Sequence, residues 1–198
     1  MRTTRTPALV AFLTAAVVAA QPGAPLDARQ KADWFAKAVK SVQAKFEPAD
    51  AKPGQTVTFT RTVDLNDGYH TYPTVQPDKA AAAMTNQLKF PDPGAVVFVG
   101  GVTDPPIYDV KSEPDLGIKE YRVNPGTVVY TRKAVVSPKA TPGPAAVKLP
   151  TFRIQVCDKN NCFPPKAVPV EATLKVLPGP AVPVEAAYAA EVAKAVGK

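Results

Sequence analysis

Apolar and polar residues alternate in steps of two along much of this chain, and proline and glycine break the alternation at short intervals. The pattern begins at Val39, Val42, Ala44 and Phe46, turns at Asp50-Ala-Lys-Pro-Gly54, and resumes over residues 56–63. Further strands are predicted over residues 68–72, 87–90, 96–99, 119–123, 127–136, 146–156 and 167–176. About nine short strands joined by turn signals, with no alternation of strand and helix, predict an all-β antiparallel sandwich. Residues 104–117 are proline-rich and aperiodic, which predicts a long loop.

The two ends depart from this pattern. Residues 27–39 have helical spacing, with Asp27 as cap and Trp34 and Phe35 on the apolar side, so they form either an N-terminal helix or a partly ordered leader. After Pro178-Gly-Pro180, residues Val184, Tyr188, Val192 and Val196 recur every fourth position in an alanine-rich stretch. That spacing predicts a C-terminal amphipathic helix packed on the sandwich, in preference to a partner-binding tail.

Arg2 and Arg5 precede an apolar run from Ala8 to Ala20, with Val18 and Ala20 at the positions a signal peptidase reads. An export signal cleaved after Ala20 is therefore expected, which places the mature protein in the periplasm or outside the cell. The run is too short to span a hydrocarbon core of about 30 Å, and no later stretch is as apolar, so the mature chain is expected to have no transmembrane segment. The expected organisation is a signal peptide at 1–20, a leader at 21–38, a sandwich domain at 39–178 and a helix at 179–198.

Composition changes this picture little. The formal charge of +7 falls to +5 once Arg2 and Arg5 are removed, and lysines and arginines are interspersed with acids rather than grouped in a block. Nucleic acid is not an expected partner. Twenty-three prolines argue against long helices through the middle of the chain.

The candidate chemistry lies in the only two cysteines, Cys157 and Cys162, with four residues between them near the turn of a predicted hairpin. Closing so short a loop removes only about 2 kcal/mol of unfolded-state entropy, a weak reason for a structural cross-link. Facing each other across an antiparallel pair, the two α-carbons should lie about 4.5–5.5 Å apart, at the short end of the disulfide range. A bond held that close is expected to be strained and easily opened by a partner thiol. Lys159 and Lys166 favour a thiolate and Asp158 opposes it, while Pro164-Pro165 interrupts strand pairing just past Cys162 and leaves that sulfur near an open edge. An ordinary structural disulfide remains the alternative for an exported chain. Two cysteines and the lone His70 supply at most three ligands at no recognised zinc spacing, so no metal is expected.

The segment Ile154-Gln-Val-Cys157-Asp-Lys-Asn-Asn-Cys162-Phe-Pro-Pro-Lys-Ala-Val-Pro-Val170 resembles the cysteine hairpin of the amino-terminal periplasmic domain of DsbD-type thiol:disulfide interchange proteins. Lys52-Pro-Gly-Gln-Thr-Val57 and Leu65-Asn-Asp-Gly-Tyr-His-Thr-Tyr72 are similar to a second part of that domain. The resemblance covers about residues 39–178 and implies an immunoglobulin-like sandwich, here as a free-standing first module. It implies that reducing equivalents come from a thioredoxin-like or membrane donor and pass to exported thiol-disulfide proteins, with no cofactor. Cys162 would join the partner and Cys157 would resolve the mixed disulfide; His70, Tyr72, Phe163 and Pro164 would shield or orient the pair. Residues 104–117 match the family's cap loop in place but lack its aromatic tip. The competing function is a non-catalytic immunoglobulin-like binding module with a structural disulfide.

Overall fold

The computed structural model describes residues 34–197. Asp27 and the expected signal cleavage at Ala20 lie outside the described residues. The chain runs α1 (Trp34–Ala38), β1 (Val39–Glu47), β2 (Asp50–Ala51), β3 (Thr56–Leu65), β4 (His70–Thr71), β5 (Gln87–Lys89), β6 (Val96–Thr103) and β7 (Asp109–Glu113). It continues through β8 (Ile118–Pro125), β9 (Thr127–Val136), β10 (Gly143–Leu149), β11 (Thr151–Ile154), β12 (Val156–Cys157), β13 (Lys166–Ala167), β14 (Val170–Val176) and α2 (Ala189–Val196).

These strands form an all-β, immunoglobulin-like antiparallel sandwich with a short C-terminal helix. One sheet has the order β1-β3-β9-β6. Across from it lie β10-β14-β2 and β13-β11-β5, and the only parallel pair among the described strands is β2 with β14. The alternation in β3 turns Val57, Phe59, Val63 and Leu65 inward. Their burial against Leu149, Leu174, Phe152 and Ile154 of the facing strands removes the apolar surface that drives the layers together. A fourth sheet, β12-β4-β8-β7, closes one end and carries the cysteines.

Arg61 occupies an inward position of the same alternation and is fully buried. Its guanidinium lies 4.2 Å from the centre of the Phe152 ring and donates to the Val168 carbonyl at 3.0 Å. Desolvation lowers its pKa to about 10, opposed by Tyr130, so it keeps its charge at neutral pH.

The predicted strand over 146–156 is three strands. Pro150 has no N–H to give to the ladder, and at Gln155 side chains replace it: the Gln155 N–H donates to Asn86 and its carbonyl accepts from Thr71. Residues 167–176 are likewise divided into β13 and β14 at Val168-Pro169. Residues 104–117 are not one long loop. They contain β7, paired with β8 from Asp109↔Val123 to Glu113↔Ile118, and a 3-10 turn over Pro114–Leu116. β7 is an edge strand largely exposed on both faces, so its sequence carries no apolar alternation.

The C-terminal helix begins at Ala189, later than Val184, because the Val182 N–H donates to the Pro53 carbonyl and residues 186–188 form a turn ahead of the first helical residue. Val192 is buried against Val97, Val99 and Val135 on the outer face of the first sheet, with Val184 and Tyr188 beside it. Gly54, at φ +85°, passes under Val182, whose carbonyl occupies the place a β-carbon would take.

Candidate functional site

The cysteine hairpin forms as its sequence predicts. Cys157 and Cys162 pair as an antiparallel bridge and are joined by a disulfide with a Cα–Cα separation of 4.0 Å, closer than the expected spacing. Backbone bonds from Phe163 N–H to the Val156 carbonyl at 3.0 Å and from Asp158 N–H to the Asn161 carbonyl at 2.9 Å frame the turn. The Asp158 carboxylate accepts from the N–H groups of Asn160 and Asn161, each at 2.7 Å, which holds its pKa below the ordinary carboxylate value. Strand pairing stops at Pro164-Pro165 and resumes at Lys166.

The two sulfurs differ in access. Cys157 is 1% exposed, packed with Ala81, Ile118, Tyr121 and Val123, whereas Cys162 is exposed. The Tyr72 hydroxyl lies 3.1 Å from the Cys157 sulfur and 3.4 Å from the Cys162 sulfur. Burial, reinforced by Tyr121 and Glu113, pushes the Tyr72 pKa up to about 12, so the phenol keeps its proton and is a donor to sulfur at neutral pH.

His70 stands opposite Cys157 in the β4–β12 pair, edge-on to the Tyr72 ring. Burial first, then Lys111, lowers its pKa to about 4, against the opposing pull of Asp109 and Asp158. The unfolded chain takes up this proton near pH 6.5 and the folded protein only near pH 4, so the native state gains stability from His70 above pH 6.5 and loses it as pH falls towards 4. As the chain's only histidine, it dominates titration in that window. Solvent screening of the half-buried ring keeps the loss small: urea unfolding between pH 7 and 4.5 should show stability falling by about 1 kcal/mol, and His70→Gln should remove most of that slope. An unchanged slope in the variant would show that the ring is solvated.

Both cysteines, His70 and Tyr72 line one groove of about 460 Å³, with the 158–161 turn on one side and Lys111, Ser112 and Glu113 of β7 on the other. Tyr121 closes the floor and donates to Glu113 at 3.3 Å. The region that sequence places as a cap loop therefore contributes a strand wall. Lys159 lies on the groove, but Lys166 is directed elsewhere, its ammonium 4.3 Å from the centre of the Phe35 ring. Phe163 and Pro164 are not among the groove's lining residues. The Phe163 ring stacks on Trp34 of α1 at 5.1 Å, because side chains next to each other along an extended chain point to opposite faces. Lys111, Glu113, Tyr121 and the polar residues beneath Tyr72 had no sequence signal of their own. A larger hollow of about 560 Å³ beside α2, lined by Phe98, Glu191 and Lys194, contains neither cysteine. Among the described residues, no three His, Cys, Asp or Glu side chains converge as a metal site. No helix among them is long and apolar enough to cross a membrane.

No family model matches the chain, and no curated protein matches it. Among solved structures, the N-terminal periplasmic domain of ScsB from Proteus mirabilis is similar over 79% of this chain, with 16% identity and a TM-score of 0.40. The chain spans about half the length of that structure, 52% of it. A likeness of this size has no bearing on chemistry.

Proposed function

We propose that this chain is an exported thiol:disulfide exchange domain, working through Cys157 and Cys162 on exported proteins and refreshed by a thioredoxin-like or membrane donor. The unequal exposure of the two sulfurs carries the reading. An incoming thiolate reaches the Cys162 sulfur, a new S–S bond forms there, and the electron pair of the broken bond goes to the Cys157 sulfur. Tyr72 donates to that departing thiolate, which burial would otherwise disfavour. In the reverse direction the reduced Cys162 attacks a substrate disulfide, and Cys157 then attacks Cys162 to release the reduced product and restore the internal disulfide. The chemistry calls for no cofactor.

Alkylation tests the order of the sulfurs without any partner. In the reduced protein, iodoacetamide should modify Cys162 at least about tenfold faster than Cys157, as expected for an accessible thiolate beside a buried thiol. Equal rates, or faster reaction at Cys157, would remove the assigned roles. A second reading, a binding module with a structural disulfide, is favoured by the exposed apolar side chains of Ile107, Val110 and Leu116 around β7. Under that reading both cysteines can be replaced by serine without loss of the binding surface around β7.

A further inference from the structure

Beneath the groove, Asn86 lies just ahead of β5 and is 1% exposed, yet every polar atom of its side chain is used. Its Nδ2 donates to the Thr71 hydroxyl, the Tyr72 carbonyl and the Tyr130 hydroxyl, each at 2.8 Å, so its two hydrogens are shared among three acceptors. Its Oδ1 accepts the Gln155 N–H at 2.9 Å, and its own N–H donates to the Pro73 carbonyl at 2.9 Å. The Tyr130 hydroxyl in turn donates to the Tyr72 carbonyl at 2.6 Å, and the Thr71 hydroxyl donates to the Gln155 carbonyl at 2.7 Å. One amide thus ties the backbone of Tyr72 to the backbone two residues ahead of Cys157.

We infer that Asn86 is a positioning residue for sulfur exchange: it holds the Tyr72 hydroxyl at the Cys157 sulfur through a buried clamp made with Thr71, Tyr130 and Gln155. The inference rests on the exchange reading above. β4 and β12 are each only two residues long, with two residue pairs between them, so strand pairing alone is a short anchor for a contact of 3.1 Å. β4 is paired on its other side with β8 over two more residues, and the clamp adds a further constraint from β9 and from the residue preceding β5. A satisfied buried network of this kind has one low-energy geometry, because any displacement leaves a buried donor or acceptor unpaired.

The test is a double-mutant cycle read by the rate at which dithiothreitol reduces the internal disulfide. One dithiothreitol thiolate attacks Cys162 and Cys157 leaves; the second thiol closes the dithiothreitol ring, and Cys162 leaves as the second thiolate. Losing a donor to a developing charge slows such a step by about tenfold, so Tyr72→Phe should have that effect. Asn86→Ala should slow reduction by about fivefold in the wild-type background and by less than about twofold in the Tyr72→Phe background, since its effect passes through the hydroxyl already removed. Tyr130→Phe, which removes one member of the clamp and leaves the ring in place, should show the same dependence and serves where Asn86→Ala does not fold. Equal slowing by Asn86→Ala or Tyr130→Phe in both backgrounds would assign the clamp to stability alone and overturn the positioning role. If Tyr72→Phe itself leaves the rate unchanged, the exchange reading loses its donor and the inference falls with it.

Discussion

Cys157→Ser, reduced and mixed with oxidised glutathione, should accumulate a mixed disulfide through Cys162, whereas Cys162→Ser should accumulate almost none. The expected ratio of trapping rates is at least about tenfold, and the wild-type protein should pass through the adduct without storing it. In the first variant the exposed Cys162 thiolate attacks glutathione disulfide and releases one glutathione thiolate, and no second sulfur is present to displace the other. In the second variant the remaining thiol is 1% exposed and enclosed by Tyr121, Val123 and Ile118. That enclosure blocks approach of glutathione disulfide and slows attack. Mass spectrometry of the quenched proteins reads the outcome directly. Equal trapping would mean that the groove opens far enough to erase the difference between the sulfurs.

The other large effect is on stability. Trp34→Ala should lower the unfolding free energy by about 3–4 kcal/mol in urea titration, the range for removing a buried tryptophan. Trp34 is 8% exposed and lies parallel to the Phe163 ring at 5.1 Å, with Phe35 edge-on at 5.4 Å. It packs in the same cluster as Val63, Tyr130 and Ile154, so the short helix α1 belongs to the core of the sandwich and braces the strand that follows Cys162. A loss below about 1 kcal/mol would place α1 outside the cooperative unit.

The strands most legible in the sequence are those with one face buried and the other in contact with water. Residues 127–136 form β9 with the same bounds, alternating through Val128 and Tyr130, while Ala134-Val135-Val136 is buried on both faces. β7 was illegible because neither face of Asp109-Val-Lys-Ser-Glu113 is covered, and without burial there is no selection for a period. The strand interruptions at Pro150 and Pro169 were visible as prolines but not as breaks, since a proline at an edge and a proline ending a strand read alike.

At the site, the cysteine turn and the Gly68-to-Tyr72 segment were legible as local motifs, and the structure brings the Tyr72 hydroxyl onto the sulfurs and pairs His70 with Cys157 across the strands. The family resemblance implies that Phe163 shields the pair, yet its ring turns away from the groove and stacks on Trp34. The Asn86 clamp left no trace. Its partners at positions 71, 72, 130 and 155 are assembled only by the tertiary fold, and an asparagine between Thr85 and Gln87 ahead of a three-residue strand resembles any loop residue.

Whether this pair exchanges or merely cross-links is decided by its reduction potential. Equilibrating the purified protein in glutathione buffers of graded poise, then counting free thiols by alkylation, gives that value. A short loop with little closure entropy, one attackable sulfur and a phenol ready to receive the departing thiolate predict a potential well above about −300 mV. A potential below about −300 mV, together with unchanged folding when both cysteines are replaced by serine, would contradict the exchange account and leave a structural disulfide in its place.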